Sequence, residues 1–206
     1  IQQAVTILKK YPYVYFKEKY DLPGQLQKDE IIKRSVGSNI FRAFHNLKHT
    51  PSSIYRAWAH KNFTSILEAL NNCKSQNEYD RYILKWTNSF ITYWNITVTN
   101  NQQRIPYGPA IKITNLLVKV ISENKVLTNQ QILRFMHIPF DEFTLKPIRI
   151  IINELTDINF RVDVPKNPTM KLITNYELYN IFRKSLFDLC DRARIYPICY
   201  DYWCWN

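Results

Sequence analysis

Ile105-Pro106-Tyr107-Gly108-Pro109-Ala110-Ile111-Lys112-Ile113-Thr114-Asn115-Leu116-Leu117-Val118-Lys119-Val120-Ile121 is the stretch on which the fold turns. After Gly37 the chain has no glycine other than Gly108, so a tight turn is expected there. Pro109 suits the first helical position, where a missing N–H costs nothing. From that point Ile113, Leu116, Leu117, Val120 and Ile121 recur at helical spacing and predict a buried stripe. Lys112, Asn115 and Lys119 fall on the other face. A glycine turn entering a helix also offers backbone N–H groups to a phosphate.

Lys112 is expected in the first turn of that helix, where the positive end of the dipole disfavours another positive charge. With partial burial this lowers the pKa of the amine and frees it as a nucleophile. The plainer alternative is that Lys112 and Lys119 both solvate an exposed face. A second segment, His137-Ile138-Pro139-Phe140-Asp141, follows. Pro139 keeps Ile138 extended, and Asp141 stands before a helical turn at 142–145, with Pro147 opening the next helix. Asp141 reads either as an N-cap or as a carboxylate aimed into a cleft, able to stabilise a positive transition state.

The remaining chain reads as helices with polar punctuation. Capping boxes are expected at Ser75-x-x-Glu78, Thr128-x-x-Gln131 and Thr174-x-x-Glu177. Helical stripes run through Tyr79, Tyr82, Ile83, Trp86, Phe90 and Tyr93, and through Leu178, Ile181, Phe182, Ser185, Leu186 and Leu189. Ile31, Ile32, Ile40, Phe41 and Phe44 suggest one helix, and 54–70 another, opened by Thr50-Pro51. Only 160–164 alternates like a strand, and Pro165 follows it. Residues 96–104 read as a loop. The expected fold class is all-α, one unit over 1–206, with a helical lobe to about residue 95 and a boundary near 95–105. A hairpin and catalytic segment over 105–150 and C-terminal helices with an aromatic tail over 151–206 complete it.

Composition bounds the function. No run of about 18 apolar residues exists to span a membrane. The opening 1–10 carries no signal-peptide pattern, and a chain starting at Ile1 reads as trimmed, cytoplasmic and intracellular. The net charge is +11, from 28 basic and 17 acidic residues. Residues 1–150 hold 21 basic and 10 acidic groups, and 151–206 hold seven of each, so the excess lies wholly in the earlier part. Basic residues interleaved with aromatics point to a folded surface for a polyanion, nucleic acid before an anionic membrane. Cys73, Cys190, Cys199 and Cys204 match no zinc or iron–sulfur spacing and are expected reduced. His45 and His49 stand at i, i+4 without a third ligand nearby, so neither a metal nor another cofactor is expected.

Taken together, the two segments resemble the helix–hairpin–helix superfamily of DNA glycosylases, on its lysine-using 8-oxoguanine branch. The resemblance rests on Gly108 four residues before Lys112, and on Ile138-Pro139-Phe140-Asp141 about thirty residues later. The ending Tyr196–Trp203 is similar to the tails of short bacterial relatives. Ala110 departs from the pattern, standing where the family usually has its second hairpin glycine. What the resemblance implies is a two-lobed helical fold with a cleft, Lys112 as Schiff-base nucleophile and Asp141 as catalytic carboxylate. It also implies DNA contacts from Arg104, Tyr107, Gly108, Pro109, Ala110, Asn115 and Lys119.

The implied chemistry suits these residues. Cleaving an N-glycosidic bond builds positive charge on the sugar, which a carboxylate stabilises. A neutral lysine attacks C1′ and forms a Schiff base, which permits strand cleavage by β-elimination. The base must first leave the duplex for an aromatic pocket, for which His137, Phe140, Trp203 and Trp205 are candidates. Trp203 and Trp205 read equally as a tail pinned to the body. The expected partner is double-stranded DNA, bound by a monomer near the nucleoid. The substrate is either an oxidised purine in repair or a modified base in phage DNA. The competing readings are a catalytically silent helical DNA-binding module, which keeps the hairpin for phosphate contacts alone, and a helical protein-interaction domain.

Overall fold

The structure, a computed structural model, describes residues 1–20, 26–37, 40–41, 50–98, 103–155 and 163–205. Every regular element among them is helical. In order these are α1 (Gln2–Leu8), α2 (Tyr13–Tyr20), α3 (Lys28–Ser35), α4 (Pro51–Asn72), α5 (Gln76–Thr97), α6 (Tyr107–Ser122), α7 (Ile132–Phe135), α8 (Glu142–Leu155), α9 (Tyr176–Ala193) and α10 (Pro197–Cys204). A 3-10 turn, Met170–Leu172, precedes α9.

α6 lies at the centre, packed between α3, α5 and the 3-10 turn. Its sequence explains the place. Ile111, Ile113, Leu117, Val118 and Ile121 are buried on several sides, as befits a helix apolar nearly all round. Only Lys112, Leu116 and Lys119 form a stripe that faces open space. Leu116, expected in the core, belongs to that stripe. Asn115, expected on the exposed face, is instead fully buried.

α5 follows its aromatic spacing and buries Tyr79, Ile83, Trp86, Phe90 and Trp94. Ser75 caps it by accepting from the Glu78 N–H at 3.3 Å, while the Glu78 carboxylate takes the Lys74 N–H at 2.8 Å. The other two expected boxes differ. Thr128 bonds to Asn71 Oδ1 through both its N–H and its hydroxyl, and Gln131 caps α7. Asn175, one residue past Thr174, caps α9 by accepting from the Leu178 N–H at 2.9 Å. Gln131 makes no side-chain cap bond and its own N–H is taken by Asn129 Oδ1 at 3.1 Å, so an asparagine supplies the acceptor near both helix starts.

The helix expected through Ile31 to Phe44 ends at Ser35, because Val36 is extended and Gly37 follows; Phe44, His45 and His49 lie outside the described residues. The strand-like 160–162 also lies outside them, and Asp163 and Val164 join no regular element. α8 runs through Pro147 rather than restarting there. The buried apolar side chains form one cluster from Val5 to Tyr202, including Val98 and Ile105 within the expected boundary. α1 packs on α9, joining the two ends of the chain. No helix among the described residues is long and apolar enough to cross a membrane. All four cysteines are free.

Gly108 has a different role from the expected one. It is the second residue of α6, not a turn before it, and Pro109 is the third. A methyl group on Gly108 would stand 1.9 Å from the Met170 carbonyl oxygen and 2.8 Å from that of Ile173. Glycine is required here because another backbone crosses against the helix. Gly108→Ala is therefore expected to destabilise the fold by about 1–3 kcal/mol, since backbone carbonyls cannot swing aside as side chains do. A thermal melt checks this, and an unchanged melting temperature would contradict the close packing of 170–173 on α6.

Candidate functional site

α6 presents Lys112, Leu116 and Lys119 to a cavity of about 600 Å³, which Arg34 and Ser35 from α3, Pro139, Asp141, Met170, Asp201 and Trp205 also line. The Lys112 Nζ donates to Asp141 Oδ2 at 3.0 Å, across 29 residues of sequence. Both side chains are mostly shielded from solvent. Lys112 occupies the second turn of α6, so the argument from the helix end does not reach it. Its position is set by the carboxylate instead.

Asp141 caps α8 with one oxygen and meets Lys112 with the other. Oδ1 accepts the N–H groups of Phe143 at 2.9 Å and Thr144 at 3.2 Å, capping α8. Thr144 Oγ1 accepts the Asp141 N–H at 2.8 Å in return. The Tyr200 hydroxyl donates to the Thr144 carbonyl at 2.8 Å, tying the cap to α10. With one oxygen held in this way, the other is aimed at Lys112.

A second lysine–carboxylate pair stands further along the stripe. The Lys119 Nζ donates to Asp201 Oδ2 at 2.6 Å, and lies 4.8 Å from the centre of the Tyr202 ring. Asp201 comes from α10 and is fully buried, with Oδ1 lacking any hydrogen-bond partner among the described residues. Burial pushes its carboxyl above the ordinary value, although the Lys119 ammonium pulls the other way. Arg194 places α10: in the left-handed region at φ 57°, it ends α9 and turns the chain toward Pro197. Sequence reasoning missed Asp201. The available signal was a lone acid in the otherwise apolar helix 197–204, since a buried carboxylate needs a partner.

The remaining expected site residues divide. Trp205 lines the cavity and is half exposed, its ring centre 4.5 Å from that of Phe143. Trp203 packs on Tyr200 and is not in the lining. Phe140 is buried against Tyr179 and Phe182. Arg104 is exposed and Tyr107 half-buried, whereas Gly108, Pro109 and Ala110 lie under the 3-10 turn. The first turn of α6 is thus covered and does not present its amides to solvent as expected, because Gly108 lets 170–173 approach. Asn115 is fully buried, and Lys119 is paired to Asp201 on the cavity wall.

His137, expected in the pocket, is a core residue. Its Nε2 meets Asp80 Oδ1 at 2.8 Å, and its ring contacts Tyr79, Tyr179 and Phe187. Arg183 reaches the other Asp80 oxygen at 3.0 Å. Burial opposes ionisation of Asp80, but the bond from His137 and the Arg183 charge hold its carboxyl below the ordinary value. Burial lowers the His137 pKa from 6.5 to about 4, so the ring is neutral and donates Nε2–H. Above pH 6.5 the ring is neutral whether folded or not. As pH falls from 6.5 toward 4, the unfolded chain gains a proton that the folded protein refuses, and stability is lost across that window. His137→Gln is expected to remove this component, seen as a smaller fall in melting temperature between about pH 7.5 and about pH 5. An identical fall in wild type and variant would contradict the buried neutral ring.

Among the described residues no cluster of His, Cys, Asp or Glu has the arrangement of a metal site. Comparison with protein-family models, curated proteins and solved structures finds no match.

Proposed function

We propose that the chain is a DNA glycosylase that draws a base from duplex DNA into this cavity and cleaves its N-glycosidic bond. The observation that carries the reading is the Lys112–Asp141 pair at 3.0 Å on the wall of a cavity that also holds Asp201 and Trp205. An amine and a carboxylate in contact supply both functions the cleavage needs. The Lys112 nitrogen attacks C1′, the bond to the base breaks, and the base leaves with the electron pair. Asp141 Oδ2 takes the proton that the ammonium must give up first and passes it to water, so that it is ionised again when the base leaves. As a carboxylate it also stabilises positive charge on the sugar. Collapse to a Schiff base then opens the sugar to β-elimination, so the same lysine supports strand cleavage.

Trp205, half exposed on the cavity wall, offers a face for stacking. The two-lobed helical architecture and the helix–hairpin–helix element belong to this proposal. So do a monomeric state and a place at the nucleoid in the cytoplasm, in repair or in defence against phage DNA. Borohydride trapping on a panel of duplexes carrying defined modified bases, phage DNA included, tests it. Wild-type protein is expected to give a covalent adduct and abasic sites on at least one duplex. Binding without either outcome would leave a silent DNA-binding module.

The charge of +11 makes a separate prediction. Affinity for duplex DNA is expected to fall steeply with salt, each phosphate contact adding about −0.9 to the slope of log K against log salt. A flat response would remove nucleic acid as the partner.

A further inference from the structure

Lys112 and Asp141 come from different elements, so their separation depends on what fixes the strap 136–140 against α6. One side chain bridges the two directly. Asn115, one turn after Lys112 on α6, is fully buried and donates from Nδ2 to the Ile138 carbonyl at 3.2 Å and to the Tyr179 hydroxyl at 2.9 Å. Its Oδ1 is buried without a hydrogen-bond partner. A half-satisfied amide is a costly way to fill a core position, so stability alone does not account for asparagine here. Its geometry does: the Ile138 carbonyl is three residues from Asp141, and Pro139 stiffens the chain between them. From behind, Gln76 Nε2 holds the Phe135 carbonyl at 3.1 Å and His137 is anchored on Asp80.

We propose that Asn115 is the positioning residue of the Lys112–Asp141 pair, locking the strap so that the carboxylate meets the amine. The consequence for catalysis rests on the glycosylase reading, but the geometric claim does not. Asn115→Leu keeps the volume and removes both donated bonds. Asn115→Thr is the second variant, because its hydroxyl is satisfied within the helix at the carbonyl four residues back.

Lys112 and Lys119 provide matched reporters, their side chains being 13% and 16% exposed. Reductive methylation of the free protein with formaldehyde and an amine–borane, read by peptide mass spectrometry, compares them without DNA. A loosened strap is expected to speed labelling of Lys112 by about threefold or more while leaving Lys119 as in wild type. Equal acceleration of both lysines, or of neither, in a folded variant overturns the proposal. On a duplex that wild type excises, single-turnover excision is expected to fall by about tenfold to a hundredfold with affinity within about twofold, as for a small misplacement of reacting groups. Normal excision would overturn the proposal while leaving the glycosylase standing. A wild type that excises nothing would remove the glycosylase, and the labelling result would still decide the role of Asn115.

Discussion

Lys112→Gln is expected to abolish borohydride trapping and strand cleavage outright, with melting temperature and DNA affinity close to wild type. The loss is total because a carboxamide nitrogen cannot form a Schiff base, whatever its position. The fold survives because glutamine is a good helix former and keeps an N–H donor within reach of Asp141 Oδ2. Lys119→Gln gives the contrast. Lys119 is paired to Asp201 rather than Asp141, so its replacement is expected to leave trapping in place and to register in the melt. Trapping that persisted in the Lys112 variant and vanished in the Lys119 variant would exchange their roles.

Asp141→Asn should yield a folded protein that binds DNA but excises base about a hundredfold to a thousandfold more slowly, the usual loss on removing one preorganised electrostatic group. The two oxygens separate structure from chemistry. Asn keeps an acceptor at Oδ1 for the Phe143 and Thr144 amides, and asparagine caps helices nearly as well as aspartate. At Oδ2 it places an NH₂ group against the Lys112 ammonium, where an anion stood. Single-turnover excision beside a thermal melt reads both at once. Near-normal excision in a folded variant would reduce Asp141 to a cap.

Helical class and the two residues that meet on the cavity wall, Lys112 and Asp141, were legible because they depend on short-range pattern. The α5 stripe and its Ser75 cap sit within one turn of each other, and Asp141 follows a proline that fixes its approach. What escaped were relations across the fold. Gly108 reads as a turn residue from sequence, since nothing local says that Met170 crosses it. Asn115 has helical spacing with two lysines, yet its face is decided by Ile138 and Tyr179, 23 and 64 residues away. His137 owes its burial to Asp80, and Asp201 finds Lys119 across 82 residues. Cap positions slipped by a residue or more where two hydroxyl or amide side chains competed, as at Thr174 and Asn175.

If the chain is the proposed glycosylase, the pairing of charges along α6 would sort a nucleotide as it enters. The protein carries an excess of eleven positive charges, yet inside the cavity Lys112 faces Asp141 and Lys119 faces Asp201. A phosphate would gain from the outer field and find that gain reduced along α6, where carboxylates already occupy Lys112 and Lys119; Arg34 of α3, the third cation of the lining, is paired to Glu30 at 3.4 Å. An uncharged heterocycle would lose nothing by entering. On that reading, backbone and base would be parted by electrostatics before any contact reads which base has arrived. The same two salt bridges would act as a filter for the neutral end of the molecule.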